Sequence, residues 1–304
     1  MTVGNPQTYP QAGDISALNG GVLRHILIKW MEQSGNGKEG RWVTLAVVAG
    51  TGVYEAPWLR DAAVQTVKTP YGMVECMAGS LGPAKSRTWF LNRHGPGHRI
   101  PPHQVNYRAN IWALREIGAE RIIATAAVGS LNPSLAPGSI VLPDQFLDFT
   151  KSRPGTFFDA DSQTVVHTDM THPFCRQLAA RLAAAASEAG LEPVSTGGTY
   201  VCTEGPRFET PAEIRAYRLL GGDVVGMTVV PEVVLARELG LCYQTLALVT
   251  NWAAGLTAEP MTQAEVLGLV KAKRGVLTEI LGLALTHPDL ERKQCECGPP
   301  PAAI

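Results

Sequence analysis

The amino-acid sequence predicts an α/β fold. Three observations carry the prediction: short apolar runs of strand length, intervening segments with helix boundary residues, and glycine or polar groups directly after each run. The runs are residues 44–49, 89–91, 121–127, 224–227 and 246–249. Continuous apolar runs of this kind mark strands covered on both faces.

The helical segments start and stop for local reasons. Thr210-Pro211-Ala212-Glu213 supplies an N-cap hydroxyl, a proline at the first helical position and a capping-box carboxylate, and Gly221 ends that helix. Thr262 with Glu265 repeats the box before a helix that runs towards Leu285. Proline starts and glycine stops also bracket residues 231–240 and 173–190.

Composition narrows the function class. The chain has 304 residues, 45% of them hydrophobic, and a formal net charge of -1 from 26 basic and 27 acidic side chains. That balance gives no electrostatic footprint for nucleic acid or an anionic membrane, so small neutral or anionic substrates are the expected partners. With no apolar run of spanning length and no signal-peptide pattern, a cytoplasmic location is expected. Residues 1–41 read as an N-terminal extension, 42–286 as one compact domain and 287–304 as a C-terminal tail. Among the six cysteines, Cys76, Cys175, Cys202 and Cys242 read as isolated reduced thiols. Cys295 and Cys297 lack a second ligand pair in sequence, so they read as part of a disordered end and no metal site is expected.

The residues that leave each strand carry the chemistry. The first run enters Gly50-Thr51-Gly52, the second Asn92-Arg93-His94-Gly95, the third Gly129-Ser130, the fourth Thr228 and the fifth Thr250-Asn251. Ligands of open α/β sheets bind at the C-terminal ends of strands. Each element also has a plain structural reading: a tight turn for the glycines, an ion-pair partner for Arg93 and a satisfied core histidine for His94. Together they suit an anion, with backbone N–H groups and the Thr51 hydroxyl approaching it, Arg93 offering a planar fork and His94 a donor. Gly50-Thr51-Gly52 continues as Val53-Tyr54-Glu55, without the third glycine of a dinucleotide fingerprint, and the P-loop and serine-hydrolase signatures are missing.

Over residues 44–285 the sequence resembles the trimeric purine nucleoside phosphorylase and methylthioadenosine phosphorylase family. The resemblance rests on Asn92-Arg93-His94-Gly95, Gln104-Val105-Asn106-Tyr107-Arg108-Ala109-Asn110, Glu204-Gly205-Pro206-Arg207-Phe208-Glu209-Thr210 and Gly226-Met227-Thr228-Val229-Val230-Pro231-Glu232. It implies a three-layer αβα fold with a central mixed sheet. It implies phosphate held by Thr51, Arg93, His94, Thr228 and the backbone at Ala126, where methylthioadenosine enzymes commonly carry a hydroxyl. Ala127 would face the substrate, Phe208 the purine and Met227 the ribose. Inorganic phosphate is then a co-substrate, and no cofactor is expected. A homo-oligomer, trimer or dimer of trimers, is the implied assembly, and His167 resembles a residue that reaches a neighbouring subunit's site.

The base pocket divides the family. Methylthioadenosine enzymes place Asp at the position of Asn251 and again two residues on, where this chain has Ala253. A carboxamide offers NH2 to a six-oxo group and an oxygen to the N7 proton. An ionised Glu209 would accept from the N1–H of a six-oxopurine and oppose the bare N1 of adenine; its structural alternative is a pair with Arg207 or a helix cap. By the resemblance, Gln263 falls near the position that meets the five-prime group, and it leaves inosine or guanosine and methylthioinosine both open. The expected reaction is phosphorolysis of a six-oxopurine nucleoside to free base and ribose 1-phosphate, with Asn251, Glu209 and His94 as catalytic groups. Methylthioinosine or methylthioadenosine phosphorolysis, hydrolysis by water, and a non-catalytic purine- or phosphate-binding protein are the alternatives.

Overall fold

A computed structural model describes residues 43–51, 53, 56–81, 86–159, 165–191, 194–258, 262–290 and 294–298. The extension at 1–41 and the glycine at 52 lie outside the described residues. The strands are β1 (Leu45–Ala49), β2 (Arg60–Thr69), β3 (Gly72–Leu81), β4 (Ser86–Asn92), β5 (Arg121–Ser130), β6 (Ile140–Leu142), β7 (Gln145–Phe149), β8 (Val194–Thr196), β9 (Thr199–Thr203), β10 (Val224–Gly226) and β11 (Cys242–Trp252). The α-helices are α1 (Tyr107–Glu116), α2 (Arg176–Glu188), α3 (Pro211–Leu219), α4 (Val229–Glu238) and α5 (Gln263–Leu285).

All these strands join one mixed sheet. Its main path runs β2-β3-β4-β1-β5-β10-β9-β7, and β11 branches from β5 towards β6 and β8. β1 is buried throughout, and its alternate residues feed opposite faces. Ala46 and Val48 pack with Ile111 and Leu114 of α1 and Val233 and Leu235 of α4. Leu45 and Val47 pack with Leu178 and Leu182 of α2 and Leu277 and Leu281 of α5. This is the three-layer αβα arrangement with a mixed sheet that the resemblance implied.

Both expected capping boxes form, at Thr210 with Glu213 and at Thr262 with Glu265. Gly221, Gly240 and Gly190 come after their helices at φ 88°, 69° and 68°, conformations that disfavour a Cβ. Two readings need correction. The segment at 173–190 begins as a helix only at Arg176, with Cys175 as N-cap. The run 224–227 reads as one more strand delivering its C-terminal end to a common edge, but β10 lies antiparallel to β5. An apolar run carries no strand direction, so sequence alone could not tell the two apart.

The Cys295/Cys297 end also differs from its expectation as a disordered tail. Leu290 and Cys297 are buried in the same cluster as Cys175 and Cys242, and the Gln294 N–H donates to Gln177 Oε1 at 3.0 Å. The partners sit on α2 and β11, more than 50 residues away in sequence, which is why local composition gave no sign of them.

Candidate active site

The site is assembled around β5. Its neighbour β1 ends at Ala49, and Gly50 N–H donates to Thr125 Oγ1 at 2.8 Å. Arg93 comes directly after β4 and is tied to the end of β1 by its own N–H, which donates to Ala49 O at 3.0 Å. A Cβ on Gly50 would stand 2.3 Å from Thr125 O and 2.6 Å from Arg93 Nη1, so only glycine lets the β1 loop close over β5 beside the guanidinium. Gly50→Ala is expected to cost on the order of 1–3 kcal/mol in urea unfolding, because the Cβ meets backbone and a fixed side chain. Unchanged stability would show that the loop rests elsewhere.

Arg93 is 1% exposed. Its Nε and Nη2 donate to the two carboxylate oxygens of Glu232 at 2.8 and 2.7 Å, and Nη1 donates to Thr125 O at 2.9 Å. Burial works against the guanidinium charge, and Glu232 more than restores it. These bonds use three of the five N–H donors of the group. Both readings of Arg93 therefore hold a part: it is an ion-pair partner, and it stands beside the β1 loop as an anion ligand would.

Glu232 fixes α4 to this corner. The N-cap of α4 is Thr228, whose side chain makes no capping bond. The helical dihedrals break at Val230, φ -105° and ψ 131°, so regular helix begins at Pro231 as the sequence suggested. β10 pairs Val225 with Gly129, and continuing that antiparallel register by three residues brings Thr228 abreast of Ala126. A Cβ on Gly226 would meet Val128 at 3.1 Å, in keeping with that register. Antiparallel β10 thus returns Met227 and Thr228 along β5 towards the phosphate-binding residues expected at Thr51, Arg93 and Ala126.

His94 is also buried, with Nδ1 2.8 Å from Ile100 O and its ring centroid 4.2 Å from that of His98, the two planes tilted by 41°. A carbonyl accepts only, so Nδ1 carries the proton. Burial, then the Arg93 charge, push the imidazole pKa down to about 3. The ring is neutral at pH 7, and its Nε2 is an acceptor, where the sequence reading had a donor.

The base-pocket residues lie on the neighbouring strand ends. β11 pairs Val249 with Val128 but Asn251 with Gly129, a bulge at Thr250. Bulges re-aim side chains, and this one sets the Asn251 amide nitrogen 3.1 Å from where a Gly129 Cβ would be. The amide bonds locally: Nδ2 donates to Trp252 O at 2.9 Å and Oδ1 accepts from Thr250 Oγ1 at 2.8 Å. Ala253 is buried with Leu131, Ile214 and Val225. Ala127 is half-buried on β5.

Glu209 is half-buried and accepts from Thr203 Oγ1 at 2.6 Å. Burial raises its pKa above the ordinary carboxylate value, while Thr203 pulls the other way. Neither structural alternative for Glu209 holds. Arg207 makes its two-pronged pair with Glu213, at 2.9 and 2.7 Å, and Glu213 also completes the helix cap. A cavity of about 150 Å³ lies against Glu209, with Thr203, Gly205 and Tyr217 among its walls. Phe208, next in sequence to Glu209, is 43% exposed. Met227 packs on Gly205, where a Cβ would stand 2.6 Å from its Sδ. The Gln263 side chain lies outside the described residues, and His167 is exposed.

Sequence reasoning missed three residues that build the site. Thr125 joins the β1 loop to Arg93. Glu232 stands out in the sequence only as part of a motif, although an acidic residue flanked on both sides by apolar helix positions is a signal for a buried pair. Arg153 donates to Met227 O and Val230 O at 2.7 and 2.8 Å and to Thr203 O and Glu204 O at 3.2 and 2.5 Å. It cross-links the β9 and β10 exits, and nothing in its Ser-Arg-Pro context pointed there.

A buried arginine, a glycine loop and a helix start converging at the middle of a mixed αβα sheet define a protein that binds small anionic ligands. The chain matches the phosphorylase superfamily over residues 44–285, and it belongs to that family. It is 52% identical to the 6-oxopurine nucleoside phosphorylase of Pyrococcus furiosus over 259 residues, 84% of this chain and 95% of that protein. It is 48% identical to the probable S-methyl-5'-thioinosine phosphorylase of Methanothermobacter thermautotrophicus, over 83% of this chain and 87% of the relative. Among solved structures, methylthioadenosine phosphorylase from Schistosoma mansoni with adenine aligns with a TM-score of 0.76 at 35% identity, covering 80% of this chain and 90% of that one.

Proposed function

We propose that the chain is a purine nucleoside phosphorylase that cleaves six-oxopurine nucleosides with inorganic phosphate, giving free base and ribose 1-phosphate. The carrying observation is Glu209: Arg207 is taken by Glu213, which leaves this half-buried carboxyl with Thr203, beside a cavity and close to the returning β10 exit. The names of the relatives support the same reading.

Thr51, Arg93, His94, Thr228 and the Ala126 backbone hold phosphate against the anomeric carbon, opposite the base. The reaction passes through an oxocarbenium-like state, to which the phosphate supplies negative charge. Asn251 steadies N7 as the leaving base gains charge, Glu209 accepts from N1–H, Phe208 covers the purine and Met227 the ribose. Ala127 and Ala253 line the pocket. Residues of this chain and the co-substrate suffice for these steps, without a cofactor.

The test is base release from inosine, guanosine, adenosine, methylthioadenosine and methylthioinosine, each with and without phosphate. Phosphate-dependent release from inosine or guanosine is expected. Release that ignores phosphate would make the protein a hydrolase, and tight purine binding without release would make it a binding protein. A second reading, methylthioinosine as substrate, shares the base and rests on relatives of that name at 48% and 49% identity. The site belongs to a cytoplasmic homo-oligomer in this reading. No helix among the described residues is long and apolar enough to cross a membrane, and Leu219 and Leu220 offer exposed apolar surface.

His94 decides which protonation state of phosphate the site can hold. Its neutral Nε2 accepts, so it cannot face a phosphate oxygen unless one proton lies between them, on the imidazole or on the phosphate. The phosphate dianion that predominates in alkaline solution still carries one P–OH, which can donate to this neutral Nε2, so binding takes up no proton there. Phosphate affinity is expected to stay level from about pH 8 to about pH 9, because no group in this contact changes its proton count there. Phosphate titrations by calorimetry would check this, and an affinity that fell about tenfold per pH unit over that range would show that the ring binds as the imidazolium instead.

A further inference from the structure

Four cysteines that the proposed chemistry leaves unused come together far from the strand ends just described. Cys175 caps α2, Cys242 opens β11, and Cys295 and Cys297 lie in the segment 294–298. Their sulfur atoms all lie within 4.8 Å of one another, and those of Cys242 and Cys295 are 3.4 Å apart. Cys175, Cys242 and Cys297 are buried, and Cys295 is partly so.

We propose that this cluster is a structural Zn2+ site that clamps the C-terminal segment onto α2 and β11. Tetrahedral zinc with sulfur at about 2.3 Å places its ligands roughly 3.8 Å from each other, inside the range these thiols already span. A multi-iron cluster must fit its own atoms between the sulfurs, and this group is too tight for one. Four soft sulfur ligands in a tetrahedral set select zinc over harder cations.

The surroundings suit the charge. A zinc tetrathiolate carries two negative charges, and Cys175 places one sulfur at the N-terminus of α2, where the helix dipole favours an anion. The Cys175 side chain makes no capping bond there, so its sulfur is not spent on the helix. An adjoining cavity of about 500 Å³ reaches Cys295 and Cys297 and is walled by Arg176 and Arg237, with Asp169 and Glu296 at the same opening. It gives the ion a way in.

The site is distant from the reaction. Asn251 lies nine steps along β11 from Cys242, about 30 Å at the rise of an extended strand. Zinc there has no part in phosphorolysis. Its contribution is to folding, because the ligands come from three separate parts of the chain and only the folded protein holds them together.

Protein purified without chelator or reductant is analysed by elemental mass spectrometry, then by thiol titration after unfolding in chelator. The expected result is about one zinc per chain, in the purified protein or after dialysis against zinc, with all six cysteines titrating as thiols. No zinc under either condition overturns the site, as does loss of four of the six thiols to disulfides. Cys295→Ser/Cys297→Ser is expected to lose the metal and melt at a lower temperature while keeping its circular dichroism. Cys76→Ser, outside the cluster, is expected to keep the metal. Zinc retained by the double variant would also overturn the assignment.

Discussion

Glu232→Ala is expected to destabilise the protein by about 3–5 kcal/mol, the cost of leaving a buried guanidinium without its counter-ion. Arg93 and Glu232 are 1% and 0% exposed, so water can replace neither partner. Tyr243 adds to the loss, because its hydroxyl donates to the same carboxylate at 2.7 Å. The companion variant separates stability from chemistry. Arg93→Met/Glu232→Leu/Tyr243→Phe removes charge, counter-charge and orphaned hydroxyl together, and apolar replacements of similar volume are often neutral or better. The triple variant is expected to recover most of the urea stability and to have no phosphate-dependent turnover. If it kept its phosphate KM, the buried pair would be scaffolding alone and the anion would bind elsewhere.

The second large effect concerns the base. Asn251→Ala is expected to lower kcat for inosine by about 10²-fold or more, in line with the loss of other preorganised donors to a charge that grows in the transition state. Asn251→Asp exchanges the NH2 donor for an acceptor and is expected to move the inosine-to-adenosine ratio of kcat/KM towards adenosine by roughly 10- to 100-fold. Ala253 does not offer the same route. It is packed among Leu131, Val201 and Ile214, where an added carboxylate would be buried without a partner. Glu209 sets a pH limit on the selectivity. Its raised pKa means the acceptor form is lost as pH falls through that value, so six-oxo preference is expected to decline on the acid side and to be full above it. Side-by-side steady-state kinetics on the two nucleosides measure both effects. An Asn251→Asp enzyme with the parent's preference would take Asn251 out of base recognition.

The legible part of this protein was the part written in short-range chemistry. Thr210 and Glu213 form their capping box because both groups lie within one helical turn. The same reasoning found Thr262 and Glu265, and apolar runs found the five strands nearest the sheet centre. β2 went unread because it is exposed over most of its length, and β3 because it buries alternate residues such as Val74, Cys76 and Ala78, which form no continuous apolar run.

By itself, then, the sequence determined the α/β class, the capped helices, the family and the residue types able to hold phosphate and a purine. Tertiary structure alone decided that β10 runs against β5 and carries Thr228 back towards Ala126, that Arg93 is locked to Glu232 across 139 residues, that Arg153 ties two strand exits together, and that four scattered cysteines share one place. The physical reason is common to all four. Strand direction, ion-pair choice and ligand convergence depend on distances between segments, which neither a periodicity nor a motif encodes.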